Sequence, residues 1–234
     1  MLENLVVESV EALKFDPEEF EHEGLNIGNR SAVVLAAKGA LGSGADVLCI
    51  ADRDCGHHLE RYKLDTLVWT DYPALESYLF TPKLMDYVNE AALGDRLPPG
   101  AQLVEEIAPI LLELYTVRLH NDSLPSPNIQ RGFGKVKRFD HFDVKKTVSP
   151  AIADKLDGYA KPEVGNHRSY AYGHDVADVL LHLYGNQIKT QAGIPGRDNL
   201  ELVFRLALLA EGTFDDEALA SRLLAWVGHS PVHA

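Results

Sequence analysis

Two aspartates alternate at Asp52 and Asp54, directly after the apolar run Val47-Leu48-Cys49-Ile50-Ala51. A short apolar run between a glycine-rich stretch and a polar one has the pattern of a buried strand. An acid at the C-terminal end of such a strand points into the crevice where open α/β sheets bind their ligands. Alternate positions on an extended chain bring both carboxylates within reach of one ion or its waters. Two carboxylates held together repel unless a cation compensates them, and oxygen-only ligands favour Mg²⁺ or Mn²⁺ over zinc. The plainer alternative is that either aspartate caps the next loop. Glu76 adds weight to the metal reading: a carboxylate starting the helix after the next strand lies on the same sheet edge, so three acids converge. Its own alternative is a first-turn glutamate favoured by the helix dipole, and that of Asp71 is an N-cap.

Other side chains around this centre suit phosphate chemistry. Arg53 and Lys63 are candidate phosphate contacts, with surface ion pairs as the alternative. His57 and His58 follow the aspartates and could touch phosphate or carry protons, although adjacent histidines in a polar loop are commonly solvent-exposed. Acids without an obvious nucleophilic serine or cysteine suit a metal-dependent hydrolase acting on phosphodiesters. A second region, 131–146, gathers Arg131, Lys135, Lys137, Arg138, Lys145 and Lys146 among Phe133, Phe139 and Phe142. Lys135, Lys137 and Arg138 are its nucleic-acid-binding candidates, against the alternative of a lysine-rich surface loop. His167, Arg168, Tyr170, Tyr172 and His174 interleave aromatic and basic groups that could stack on unpaired bases, or simply pack a loop.

The elements that must position these residues follow from periodicity. Residues 5–10 are β-branched and short and read as a strand; 31–38 have helical composition, ended by Gly39, Gly42 and Gly44. The run at 46–51 reads as a central strand buried on both faces, and 66–70 as a further strand. Pro73 fits the first turn of a helix with Thr70 or Asp71 as N-cap. Helical patterns then cover 83–93, 101–119, 175–184, 199–211 and 216–227. Residues 121–168 are weakly periodic, with room for a short helix within 144–156. The expectation is an α/β chain: a mainly parallel sheet flanked by helices in 1–82, and a mainly helical region, 83–234, packed on it.

Composition sets the outer limits. The 234 residues suffice for one substantial core or one α/β domain with a helical appendage. A formal charge of −13 excludes a uniformly basic surface that coats nucleic acid, but not a local basic patch. The only cysteines, Cys49 and Cys55, make no disulfide framework, which points to a reducing cytoplasm. The start, Met1-Leu2-Glu3-Asn4, lacks the pattern of a signal peptide, and no segment has the apolar length of a membrane span.

Val47-Leu48-Cys49-Ile50-Ala51-Asp52-Arg53-Asp54 followed by Thr70-Asp71-Tyr72-Pro73-Ala74-Leu75-Glu76-Ser77-Tyr78-Leu79 resembles the Toprim fold, in the branch that includes OLD-family nucleases. There a hydrophobic strand ends in D-x-D and a T-D-x-x-x-L-E-x-Y-L segment follows. Gly28-Asn29-Arg30-Ser31-Ala32-Val33 is similar to the helix start before that strand, and Tyr172-Gly173-His174-Asp175-Val176 to a second one near the C-terminus. The resemblance implies that Asp52 and Asp54 hold Mg²⁺ and that Glu76 binds it directly or through water. It also implies a glutamate at the end of the first strand, for which Glu8 is the candidate. The chain has Ser9 where that pattern has glycine, so two readings stay open: Glu8 completes the catalytic acids, or residues 5–15 are the second strand and the first lies outside this chain. The function implied is a Mg²⁺-dependent nuclease for DNA or RNA that serves as the effector of an anti-phage defence system, alone, as an oligomer or with a partner protein. The alternative is a non-catalytic Toprim-like module that binds a partner protein or nucleic acid.

Overall fold

In the computed structural model, which describes residues 6–59, 61–121, 127–163 and 165–229, the chain divides into two units, Met1–Asp71 with Asp215–Ala234 and Tyr72–Phe214. The units part at Asp71/Tyr72 and the final segment returns to the first unit, whereas the sequence suggested one boundary near residue 82.

The first unit opens without the expected strand. Residues 6–9 are not extended into a ladder, and Val10–Ala12 form a 3-10 turn; Leu5 lies outside the described residues. Val6 and Val7 are exposed, so their β-branched side chains have no core to pack against, and a strand without a partner is not stable in water. Asp16 starts α1 (Pro17–His22) through a capping box: its side chain accepts from the Glu18 N–H, and Glu19 accepts from the Asp16 N–H.

Helix α2 (Asn29–Ser43) runs through Gly39 and Gly42 and stops only where Gly44 turns left-handed. Each internal glycine costs about 1 kcal/mol relative to alanine, but Ala32, Val34, Ala37 and Ala40 bury one face of the helix and hold it together. That face covers the sheet, a parallel pair of β1 (Cys49–Ala51) and β2 (Leu67–Trp69) in the register Cys49↔Leu67, Ile50↔Val68, Ala51↔Trp69. Val34, Ala37, Ala51, Tyr62 and Leu67 form its core. The Thr66 hydroxyl ties the start of β2 to α2 by donating to the Ala37 carbonyl at 2.7 Å. The expectation of a central strand buried on both faces is corrected: β1 has one neighbour and Ile50 is 44% exposed. Helix α9 (Ala218–His229) completes this unit.

In the second unit the expected helix over Pro73 is also corrected. Pro73 and Ala74 precede a 3-10 turn, Leu75–Leu79, in which the Ser77 hydroxyl accepts from the Ala74 N–H and donates to the Ala171 carbonyl. Thr81 caps α3 (Pro82–Leu93), and α4 (Gly100–Leu119) packs against it. The Asn89 side chain closes the intervening loop by bonding both the N–H and the C=O of Leu97 at 2.9 Å. The long, weakly periodic stretch holds α5 (Ile129–Phe133) and α6 (Pro150–Ala153) between turns. Helix α7 (Gly173–Leu183), a π turn at Asn186–Gln191, and α8 (Arg197–Glu211) follow. Leu103, Ile107, Leu111 and Leu114 recur at helical spacing along α4 and are fully buried, together with Tyr78, Leu180 and Phe204. Each such side chain contributes about 1.5–3 kcal/mol when removed from water. The protein is thus α/β with a small parallel sheet and mostly helices.

Candidate functional site

Asp52 and Asp54 stand on the loop leaving the C-terminal end of β1. Beside them β2 ends in Thr70 and Asp71, because the strands are parallel. The ladder closes with the Thr70 N–H on the Ala51 carbonyl at 3.0 Å. The Arg53 N–H then donates to the Thr70 hydroxyl at 3.0 Å, and its guanidinium to the Asp71 carbonyl at 2.7 Å. Arg53 therefore ties two strand ends together. Asp52 is exposed, while Asp54 is half-buried in a left-handed backbone conformation with φ +46°. That conformation is uncommon outside glycine and is best tolerated by Asp and Asn.

The Asp54 carboxylate is ion-paired with Arg30 in the first turn of α2. This corrects one premise from the sequence, that the aspartate pair lacks compensation within the chain. Asp71 does not cap the turn that follows Pro73. Its carboxylate accepts from the Leu219 N–H at 2.8 Å at the start of α9 and pairs with Arg222 at 2.6 Å, a favourable place for a negative charge. His58 packs its ring on Trp69 with centroids 5.5 Å apart; His57 and Lys63 are exposed. Burial pushes the Cys49 thiol above its usual range, so it behaves as a small apolar side chain on β1. Glu8 is exposed and belongs to no strand.

Glu76 belongs to the second unit, where it is 6% exposed and its carboxylate is held by Arg205 of α8 at 2.5 and 2.7 Å. Room for it exists because residue 173 is glycine: a Cβ there would come within 2.5 Å of the Glu76 Oε2. The ionic contacts continue along α8. Arg205 lies 3.9 Å from Glu201, which bonds the His174 Nδ1 at 2.7 Å, and Arg197 reaches both Glu201 and Asp178. Burial raises the Asp178 carboxyl, with Arg197 pulling the other way. Nearby, Arg118 of α4 grips Asp175 of α7 with two hydrogen bonds of 2.9 and 2.7 Å, and stacks 4.2 Å over the Tyr172 ring. The Tyr172-Gly173-His174-Asp175 segment therefore starts a helix, as expected, with both polar residues engaged internally.

Lys135, Lys137 and Arg138 are exposed after α5. Among the described residues, no group of three or more His, Cys, Asp or Glu side chains could hold a metal ion, both cysteines are free, and no helix is long and apolar enough to cross a membrane. Sequence reasoning missed the arginines: Arg30, Arg118, Arg205 and Arg222 each neutralise an acid. A signal was available for Arg118 and Arg205, which interrupt the apolar runs Tyr115-Thr116-Val117 and Leu202-Val203-Phe204. The chain matches no protein-family model, no curated protein and no solved structure.

Proposed function

We propose that this protein is a divalent-metal-dependent nuclease of Toprim type, with Asp52 and Asp54 as ligands for Mg²⁺ or Mn²⁺, cleaving phosphodiester bonds of DNA or RNA as a defence effector. The observation that carries the reading is the pair of acids leaving β1 on the C-terminal side of a parallel sheet, on a loop pinned by Arg53. What supports the ion is the chemistry of the pair: Mg²⁺ is commonly held by one or two carboxylates and keeps several waters. Such an ion supplies charge stabilisation at the oxygens of a phosphodiester undergoing cleavage. The chain's own contribution is to hold Asp54 in its left-handed conformation and to place Arg30 on it, so that the aspartate charge is balanced before a ligand arrives.

The test is incubation of the protein with Mg²⁺ and a panel of single- and double-stranded DNA and RNA. Cleavage should fall on the order of a hundredfold or more in Asp52→Ala and Asp54→Ala, with circular dichroism unchanged. Identical products from wild type and both variants would overturn the assignment.

A second reading, a non-catalytic Toprim-like module that binds a partner protein or nucleic acid, is supported by two observations. Arg30 already neutralises Asp54, and Glu8 lies outside any strand. Calorimetric titration with Mn²⁺ separates the two, since this module predicts no binding that depends on Asp52 and Asp54.

A further inference from the structure

The second unit carries a cavity of about 650 Å³ lined by Asn128, Gln130, Arg131, Gly134 and Lys146. Its walls are two short segments stitched together by backbone hydrogen bonds. The Asn128 N–H donates to the Thr147 carbonyl and the Asp143 N–H to the Gly132 carbonyl, both at 3.0 Å. The segments meet at Gly132, where a Cβ would lie 2.5 Å from the Phe142 ring and 2.8 Å from the Thr147 methyl. Phe133 anchors α5 from below, packing on Phe142 and stacking on His182 of α7 at 4.6 Å. Packing beneath it thus fixes the backbone of the two segments, while the depression itself is open to solvent and lined by exposed residues.

Charge singles this place out. The chain holds 35 acids against 22 lysines and arginines, and several cations elsewhere are engaged, as Arg30, Lys38, Arg118, Arg205 and Arg222 are by carboxylates. Arg131, Lys135, Lys137 and Arg138 have no ion-pair partner among the described residues. Only Lys145 and Lys146 of this stretch are paired, with Asp157 and Asp143, and these exposed pairs hold weakly. An acid-rich protein that leaves four consecutive cations without acids offers them to an anion in solution. The cavity wall combines two cations with the amide of Gln130, which suit a phosphate and the edge of a base, while the Asn128 side chain caps α5 by accepting from the Arg131 N–H at 3.0 Å. The row of cations continuing past Gly134 exceeds what one free nucleotide can engage, and a pocket for an isolated base requires that the base be unstacked, as in a single strand.

We propose that this cavity seats one nucleotide of a single-stranded nucleic acid, its phosphates on Arg131 and Lys146, and that the strand continues along Lys135, Lys137 and Arg138. The site rests on the reading of this protein as one that acts on nucleic acid, but not on its cleaving it.

The test is fluorescence anisotropy of the full chain with a labelled 12-nucleotide single strand in EDTA, where binding is read without cleavage. Arg131→Ala and Lys146→Ala are each expected to weaken binding roughly tenfold, as loss of one charge-assisted hydrogen bond does. The log–log salt slope should fall by about 0.7 per contact removed. Changing Lys135, Lys137 and Arg138 together to alanine should weaken the 12-mer more than a dinucleotide. Equal affinity for a duplex of the same length, for a mononucleotide, or for a polyglutamate competitor would overturn the proposal, as would unchanged binding in Arg131→Ala and Lys146→Ala. Binding in EDTA with no cleavage in Mg²⁺ would leave this site standing and remove the nuclease reading. Cleavage in Mg²⁺ together with unchanged binding in Arg131→Ala and Lys146→Ala would do the reverse.

Discussion

Arg118 and Asp175 are 8% and 2% exposed, and each satisfies the other through a bidentate contact. A pair taken so far out of water has lost the hydration of both charges, and the surviving partner suffers most when one is removed. Asp175→Asn keeps the side-chain shape but leaves a buried guanidinium uncompensated, and should cost about 3–5 kcal/mol in urea unfolding. The double replacement Arg118→Met with Asp175→Leu should recover most of that loss. Arg205 differs in that its own side chain is 49% exposed, but its partner Glu76 is buried, so Arg205→Gln, which leaves that carboxylate without its cation, should cost about 1–3 kcal/mol. A loss below about 1 kcal/mol for Asp175→Asn would mean that water reaches Arg118. The same geometry bears on Glu76, whose carboxylate already has a cation in Arg205.

Helices α5 and α7 meet through a flat stack of Phe133 on His182, with the rings inclined by 13°. The His182 Nε2 is buried with no hydrogen-bond partner among the described residues. Burial, and then the charge of Lys137, lower its pKa from 6.5. The unfolded chain therefore takes up a proton at this position before the folded one does, and stability falls as pH drops below about 6.5. Melting temperature should decline more steeply between pH 7 and 5 in wild type than in His182→Phe; parallel curves would refute it. This contact was not legible in the sequence, since nothing in the spacing of residues 133 and 182 links two elements so far apart. The long helices were legible, because α3, α4, α7 and α8 each bury one periodic apolar face and little else decides their position. The glycines of α2 misled, because tertiary burial outweighs a local propensity of about 1 kcal/mol. Residues 5–10 misled in the opposite direction: β-branched composition makes a strand only where a neighbour completes the ladder. At the site, Asp52 and Asp54 and their strand were readable from the chain, but the arginines opposite the acids were not, because ion-pair partners come from distant elements.

The chain crosses between its two units twice, at Asp71/Tyr72 and at Phe214/Asp215, and the consequences for each are unequal. Tyr72–Phe214 is one continuous stretch, and the buried side chains that hold it, Tyr78, Leu103, Leu111, Leu180 and Phe204, all come from within it. So do the buried ion pair of Arg118 with Asp175 and the pair that the half-exposed Arg205 makes with the buried Glu76. It has the length of a domain that closes its own core. The first unit is assembled from both ends of the sequence: Asp71 at the end of β2 is satisfied by the Leu219 N–H and by Arg222, both from α9. Expressed alone, Tyr72–Phe214 should be helical and melt in one cooperative transition. A chain ending at Phe214 should retain that transition, while Asp71 and the end of β2 lose their α9 partners and the strand pair becomes open to protease. Circular dichroism melts of the fragment and limited proteolysis of the truncated chain decide the matter. A fragment that unfolds without cooperativity would mean that Tyr72–Phe214 does not close its own core.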